Sequence, residues 1–122
     1  MEMEHKFYRG LIFTIPLLYS IQTRFLKRSK LGLLIWATEY LIPVLLAMLT
    51  VYWGKLNLWY ALLSIIAVYN LYEIGYIQND CETIKHEKQP TKRLSKDALL
   101  FYENHKILIY VARILIEVGL SY

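Results

Sequence analysis

The sequence predicts an all-α integral membrane protein, a bundle of helices that crosses a lipid bilayer more than once. Of the 122 residues, 57% are hydrophobic, and the mean hydropathy is +0.32. The apolar residues fall in long runs, whereas a water-soluble helical domain would repeat them at i, i+3 and i+4 between polar residues. Runs that approach ~20 residues have the length that a spanning helix needs.

The charge pattern agrees with a membrane location and argues against nucleic acid as a partner. The net charge is +4, but Lys and Arg lie in short clusters beside the apolar runs, as in the cytoplasmic loops of membrane proteins. The single cysteine, Cys81, excludes an intramolecular disulfide. The first residues include two acids, and no small-residue cleavage pattern follows them, so we expect the N-terminal segment to be retained.

Residues 7–30 are predicted to form an interfacial helical segment on the cytoplasmic surface of the membrane. The apolar stretch, Leu11 to Ile21, is too short to span, and Pro16 would kink or end a helix. A basic cluster follows this stretch and would lie near acidic lipid headgroups. A short or re-entrant insertion into the bilayer is the alternative. The cluster consists of Arg24, Lys27, Arg28 and Lys30.

Residues 31–53 and 57–78 are predicted to be two spanning helices in an antiparallel transmembrane hairpin. The first has aromatic residues toward its ends, which suits the membrane interfaces, and Pro43 is expected to bend it. Glu39 is costly in hydrocarbon, so it should face a partner helix, a pore or the bundle interior, or be protonated. Basic clusters lie before the first helix and after the second, which predicts that both ends face the cytoplasm, on the inner side of the plasma membrane.

Residues 98–122 are predicted to begin as an amphipathic helix and to continue as a third membrane helix. Arg113 and Glu117 are spaced at i and i+4, so they share a face and should pair with each other or with Glu39. Residues 1–122 would then form a single membrane domain. We expect this domain to be an N-terminal part of a larger fold, because the chain stops where the third crossing would barely be complete.

A polar and aromatic stripe runs along the second spanning helix toward its cytoplasmic end. At about 100° per residue, Asn70, Glu73 and Asp80 share one side of this helix. Ionisable residues inside a membrane are functional candidates by default, so we expect the stripe to line a ligand path. The alternative is that its side chains only hold helices together. The predicted lining residues are Tyr69, Glu73 and Tyr76.

The cytoplasmic loop predicted at residues 79–97 begins with carboxylates and ends with cations. Carboxylate and amide oxygens suit a hard cation such as Mg²⁺, and Lys or Arg beside them suit phosphate oxygens. The loop therefore has the groups needed to bind a diphosphate through Mg²⁺. An ordinary solvated loop, in which opposite charges pair, is the alternative. The oxygen donors are Asn79, Asp80, Glu82 and Glu87, and the cations include Lys92 and Arg93.

The stretch from Asn79 to Leu94 resembles the first conserved motif of the UbiA family of intramembrane prenyltransferases. That motif, Asn-Asp-x-x-Asp-x-x-x-Asp, is matched by Asn79, Asp80 and, with Glu for Asp, Glu87. Thr83 stands where the family has its middle Asp, so the motif is degenerate here. The family's second acidic motif has no counterpart in this chain. Pro90, Thr91, Lys92, Arg93 and Leu94 are similar to the family's Pro-x-x-x-Arg-Pro-Leu-like continuation.

The resemblance implies a Mg²⁺-diphosphate site for a polyprenyl diphosphate donor, with Asn79, Asp80 and Glu87 as the metal ligands. In a related branch of the family, phosphoribosyl diphosphate is used with a polyprenyl phosphate acceptor. Lys92 and Arg93 would meet the phosphate oxygens. Because half of the two-motif site is missing, we expect a prenyltransferase-type protein that is inactive as this chain alone.

Two other functions stay open at the level of sequence. The chain could be a non-catalytic membrane module whose Glu39, Arg113 and Glu117 pair with helices of a partner or of a second copy. It could also be a small channel or transporter component, because acids inside a membrane often line ion paths. Under every hypothesis, membrane lipid surrounds the chain, and its protein partners are further helices or a homo-oligomer.

Overall fold

The computed structural model of the chain describes residues 2–26, 31–55 and 57–122. These ranges contain no strand, and 82% of the residues are helical, so the predicted all-α class is confirmed. Lys27, Arg28 and Lys30 of the predicted basic cluster lie outside the described residues. The main helices are α1 (Glu2–Thr14), α2 (Leu18–Ser20, continued by a π-helical turn at Ile21–Phe25), α3 (Gly32–Val51), α4 (Leu58–Cys81) and α5 (Lys96–Ser121).

A break in the helix separates α1 from α2. Pro16 lies in this break, where its ring removes a backbone donor and excludes a continuous helix. Leu17 then has a φ of 72°, in the left-handed region that few non-glycine residues adopt. The break lets Phe13 and Tyr19 both enter the core, where they are almost completely buried. The placement of this segment along a membrane surface stays a prediction.

Helices α3 and α4 are the two described helices that are long and apolar enough to cross a bilayer. The two apolar spans are Gly32–Val51 and Leu58–His86, and they overlap the predicted spans 31–53 and 57–78. Gly54, with a φ of 70°, lies in the turn between them, where a left-handed residue suits the end of a helix. Asn57 caps α4, because its side chain accepts a hydrogen bond from the Trp59 amide at 3.0 Å.

One local feature adds to the sequence prediction, at Pro43, and another differs from it, at the end of α4. Pro43 follows a π-helical turn at Ala37–Leu41, which widens the helix just where the proline ring would clash with the preceding turn. Helix α4 continues to Cys81, past the predicted end at residue 78, so Asn79 and Asp80 lie on its last turn and not in a loop. No proline or glycine interrupts the chain there, which allows the helix to continue.

Helix α5 is continuous over 26 residues. Ser95 caps it by accepting a hydrogen bond from the Ala98 amide at 3.2 Å. It is not among the described helices that meet the length and hydropathy expected of a membrane span. The predicted third helix is therefore present, whereas its crossing of a membrane stays a prediction.

Packing is uneven across the molecule. The core lies where α1, α2 and the second half of α4 meet α5, and it includes Phe13, Tyr19, Ile77, Tyr102 and Ile109. Helix α3, by contrast, is mostly exposed, and Gly32 at its start is its one buried residue. An apolar surface of this extent is typical of contact with lipid or with further protein.

Candidate functional site

The second half of α4 carries two buried carboxylates, Glu73 and Asp80. They lie on one side of the helix and are two turns apart, about 10 Å at 1.5 Å per residue. The structure pairs each of them with arginine from a distant part of the chain. The two surroundings differ in how accessible those arginines are.

Glu73 forms a fully enclosed ion pair with Arg113 of α5. The Arg113 Nη1 atom lies 2.5 Å from Glu73 Oε2, and both side chains have 0% exposure. The backbone amides of Leu17 and Ser20 also donate to the Glu73 carboxylate, at 2.9 and 2.7 Å. Both carboxylate oxygens are thus occupied within the protein. A ligand would reach Glu73 only by opening the core.

The same ion pair supplies hydrogen-bond partners to backbone amides and carbonyls at the break between α1 and α2. Arg113 donates through Nε to the carbonyl of Phe13 at 2.8 Å and through Nη2 to the carbonyl of Ile15 at 3.4 Å. Glu73 accepts from the amides at the start of α2, as described above. Helix ends leave such groups without intrahelical partners, and burying them unpaired is costly. The pair therefore replaces the backbone bonds that Pro16 interrupts.

The prediction that Arg113 pairs with Glu117 or Glu39 is wrong. Arg113 points into the core toward Glu73, and Glu39 is exposed on α3. Glu117 instead accepts a hydrogen bond from Asn70 Nδ2 at 3.0 Å, and Asn70 Oδ1 accepts one from Arg113 Nη1 at 3.0 Å. The buried Glu73 carboxylate and the backbone carbonyls of Phe13 and Ile15 together stabilise Arg113 more than Glu117 would, although Glu117 is only four residues away on the same helix.

Asp80 is the centre of a second group, which we call the Asp80 cluster. Its side chain is only 1% exposed, whereas the arginines around it reach the surface, Arg24 at 19% and Arg93 at 36%. Arg24 contacts Oδ2 and Oδ1 at 3.3 and 3.5 Å, and Arg93 contacts Oδ1 at 3.2 Å. Tyr19 donates its hydroxyl to Oδ2 at 2.8 Å. The cluster consists of Tyr19, Arg24, Asp80 and Arg93.

The cluster carries one negative and two positive charges, hence a formal charge of +1. Burial, together with the negative charge of Asp80, raises the pKa of the Tyr19 phenol far above its usual range. The hydroxyl therefore stays protonated and acts as a donor to Asp80. An accessible positive charge held in a fixed geometry favours anions over cations.

A row of aromatic rings leads from the Asp80 cluster along α4. The Arg24 guanidinium lies 3.8 Å from the centre of the Tyr76 ring, a cation–π contact. The Tyr76 ring stacks on Tyr72, and Tyr72 lies next to Tyr69. Tyr69 in turn accepts a hydrogen bond from the Trp36 indole of α3. The row thus connects the cluster with the space between α3 and α4.

An apolar cavity of about 300 Å³ lies between α3 and α4 at the far end of this row. Tyr69 and Tyr72 line it together with aliphatic side chains from both helices. A cavity of this size and character suits an apolar chain, not a polar solute. The aliphatic side chains include Leu41, Val44, Met48, Ile65 and Val68.

The structure brings some of the predicted site residues together and separates others. Arg93 contacts Asp80, and Tyr76 contacts Arg24. The loop residues Glu87 and Lys92 are exposed, and Asn79 is half-buried. Glu73 belongs to the enclosed pair with Arg113.

The fit of a metal ion to this arrangement depends on Asp80. The described part of the chain contains no group of three or more His, Cys, Asp or Glu side chains arranged to hold a metal. Both oxygens of Asp80 accept hydrogen bonds from guanidinium groups, which a divalent cation would have to displace. The arrangement as it stands does not fit Mg²⁺, and Mg²⁺ bound by Asn79, Asp80 and Glu87 stays a prediction.

Sequence reasoning missed Tyr19 and Arg24 as members of the site. Arg24 was assigned to a basic cluster facing lipid headgroups, and Tyr19 was assigned to an apolar stretch. Both contact Asp80 from more than fifty positions away in the chain. The one local signal was Pro16, because a break before Tyr19 allows α2 to turn back onto α4.

Comparison of the chain with protein families, curated proteins and solved structures finds no match. The resemblance to the UbiA family therefore depends on the motif residues alone. Asn79 and Asp80 lie on the last turn of α4. Arg93, from the similar continuation, contacts Asp80.

Proposed function

We propose that this chain is a membrane-embedded, UbiA-like helical protein that binds the phosphate end of an isoprenoid lipid at the Asp80 cluster. The ligand would be an isoprenoid diphosphate or a polyprenyl phosphate. The observation that carries the proposal is the convergence of Arg24 and Arg93 on Asp80 where the apolar part of α4 ends. Arg93 lies in the continuation that is similar to the family's, and Arg24 reaches Asp80 from α2.

The membrane part of the proposal is supported by α3 and α4. Both are long and apolar enough to span, and most side chains of α3 are exposed. Exposing such a helix to water would be costly, at roughly 25 cal/mol per Å² of apolar surface. Lipid around α3 removes that cost. The basic residues flanking the hairpin favour a cytoplasmic position for the Asp80 cluster.

The phosphate part of the proposal is supported by charge and by donor geometry. Guanidinium groups bind phosphate oxygens through paired N–H donors, and they are less strongly hydrated than ammonium groups. Arg24 is held from two sides, by Asp80 and by the Tyr76 ring, so little ordering is lost when an anion binds. The exposed Lys92, next to Arg93 in the chain, adds positive charge.

The lipid part of the proposal is supported by the aromatic row and the apolar cavity. They start at Arg24 and end between α3 and α4, beside the surface that would face the bilayer. An isoprenoid chain could lie along Tyr76 and Tyr72 while its phosphate stays at the cluster. Prenyl transfer would need the second acidic motif of the family, so we propose binding without turnover for this chain alone.

Equilibrium dialysis tests this function with the full chain in nanodiscs of zwitterionic phosphatidylcholine. Labelled farnesyl diphosphate, in buffer with Mg²⁺, should bind saturably above the background of empty nanodiscs, and farnesol should not. Changing both Arg24→Gln and Arg93→Gln should weaken binding at least about tenfold, since charge-assisted hydrogen bonds contribute ~1.5–3 kcal/mol each. The matched control is Lys88→Gln in the exposed loop. Equal binding of farnesol, or no loss in the double variant, would overturn the proposal.

The exposure of α3 also favours a second function, that of a non-catalytic module that assembles with further helices. Glu39 is exposed on this apolar helix, where a carboxylate facing lipid is costly. Pairing with a partner helix or a second copy would remove the cost. Native mass spectrometry in detergent should then show a defined oligomer that dissociates in Glu39→Leu. A monomer with both sequences would count against this function.

A further inference from the structure

We infer that the Asp80 cluster binds phosphate directly through Arg24 and Arg93, without a metal ion, and that Asp80 positions these arginines. This inference rests on the function proposed above and specifies how the ligand is held. It differs from the expectation drawn from the motif, in which Asp80 is a ligand to Mg²⁺.

The first step concerns the oxygens of Asp80. A carboxylate offers about four lone-pair sites, and the structure fills them with four close contacts, one from Tyr19, two from Arg24 and one from Arg93. The side chain is 1% exposed, so the approach from solvent is covered as well. A metal ion would have to replace donors that already satisfy this carboxylate.

The second step concerns charge. A divalent cation placed at Asp80 would lie within a few ångströms of two guanidinium groups that cannot lose their protons. A phosphate placed on the outer side of the same groups would instead meet a formal charge of +1. The electrostatics of the cluster therefore favour the anion and disfavour the metal.

The third step concerns geometry. A guanidinium has five N–H donors in a plane, and Arg24 directs two of them at Asp80. Arg24 and Arg93 reach Asp80 from different segments, α2 and the loop before α5, and both side chains are partly exposed. Asp80 thus brings two accessible guanidinium groups together that would otherwise repel each other. A phosphate can bridge them from the solvent side while Asp80 stays in place.

The fourth step concerns the remaining acids of the motif. Glu87 lies in extended backbone after the turn at Thr83–His86 and is exposed, and Thr83 has no carboxylate. Glu82 is engaged elsewhere, by Lys85 at 3.2 Å and by the Tyr102 hydroxyl at 3.1 Å. Asp80 is therefore the only buried acid of the motif, and its partners in the structure are two arginines and the Tyr19 hydroxyl.

The experiment repeats the dialysis of farnesyl diphosphate, with the full chain in phosphatidylcholine nanodiscs, under two conditions and with two variants. One condition contains Mg²⁺ and the other contains excess EDTA. The variants are Asp80→Asn, which removes the metal ligand but keeps a hydrogen-bond acceptor, and Arg24→Gln combined with Arg93→Gln. Phosphatidylcholine contains a phosphate but has no net negative charge, so its headgroup competes for the arginines less than an anionic lipid would. Inorganic diphosphate is added as a competitor to separate headgroup recognition from binding of the chain.

Direct recognition predicts the same affinity in EDTA as in Mg²⁺. It predicts that Asp80→Asn keeps binding within about threefold, because the charge of the cluster rises while one acceptor remains, and that the arginine variant loses at least about tenfold. Inorganic diphosphate should displace the ligand. A failure of inorganic diphosphate to compete would contradict recognition through the phosphate.

The outcomes separate the two proposals. Binding that needs Mg²⁺ and disappears in Asp80→Asn would overturn direct recognition and leave the proposed function standing. Absence of saturable binding under both conditions would overturn both. The EDTA arm uses the unaltered chain, so it gives a result even if a variant fails to fold. Helical content by circular dichroism identifies such a variant.

Discussion

Glu73 and Asp80 are alike in sequence terms and different in structure. Both are carboxylates on one side of α4, both are buried, and both pair with arginine. The partner of Glu73 has 0% exposure, whereas the partners of Asp80 reach the surface. Burial of the arginine, rather than of the acid, therefore separates a pair that holds the fold from a cluster that can meet a ligand.

The comparison also shows what each arginine does for the backbone. Arg113 donates to the carbonyls of Phe13 and Ile15 at the end of α1, so removing it would leave the helix break unsatisfied. Arg24 contacts the Asp80 carboxylate and the Tyr76 ring, and Arg93 contacts the same carboxylate from a partly exposed position. We therefore expect changes at the first pair to lower stability and changes at the cluster to affect binding.

The largest effect is expected for Glu73→Gln. The change leaves the Arg113 charge buried without its counter-charge, which typically costs about 3–5 kcal/mol. Unfolding of the chain in mixed micelles, followed by circular dichroism as denaturing detergent is added, measures the loss. Glu87→Gln in the exposed loop is the matched control and should leave the midpoint unchanged. Equal midpoints for both variants would contradict the role of Glu73 in the fold.

A smaller loss is expected for Asn70→Leu. Asn70 donates to the Arg113 carbonyl and to Glu117, both at 3.0 Å, and it also accepts from Arg113. Removing a buried partner of this kind leaves polar atoms unsatisfied and costs about 1–3 kcal/mol. The same unfolding experiment checks it. A gain in stability would mean that the hydrogen bonds of Asn70 with Arg113 and Glu117 do not stabilise the fold.

A still smaller loss of stability is expected for Tyr19→Phe. The ring stays in the core, and only the hydrogen bond to Asp80 is removed, which contributes about 0.5–1.5 kcal/mol. The control is Tyr60→Phe, because Tyr60 is exposed on α4. Direct recognition further predicts that Tyr19→Phe keeps its affinity for farnesyl diphosphate, since Tyr19 contacts Asp80 and not the ligand. A loss of affinity equal to that of the arginine variant would place Tyr19 in the binding surface.

The smallest effect is expected for Glu87→Gln. Glu87 is exposed, so the change should leave the unfolding midpoint where it is. Its effect on ligand binding distinguishes a metal site from direct recognition by arginine. The resemblance to the UbiA family makes Glu87 a metal ligand, whereas Glu87 is not part of the Asp80 cluster. We expect unchanged binding of farnesyl diphosphate in Mg²⁺. Weaker binding would favour the metal site.

Local features of this protein could be predicted from its sequence, and long-range pairings could not. The apolar runs gave the two spans, and Pro16 gave the break before α2, because length and ring chemistry act within a few residues. Periodicity also placed Glu73 and Asp80 on one side of α4. It says which residues share a face, but not which distant arginine meets that face. The sequence alone therefore predicts that Arg113 pairs with its neighbour Glu117 or with Glu39, and that Arg24 lies near lipid headgroups.

The most direct test of the different roles of Glu73 and Asp80 uses the chain with both Arg24→Gln and Arg93→Gln. Its affinity for farnesyl diphosphate is measured in EDTA, and its unfolding midpoint is measured on the same sample. We predict binding weakened at least about tenfold and a loss of stability smaller than that of Glu73→Gln, because Arg24 and Arg93 are partly exposed and Asp80 keeps the Tyr19 hydrogen bond. Unchanged binding with a lowered midpoint would contradict the assignment, because the Asp80 cluster would then hold the fold and not the ligand.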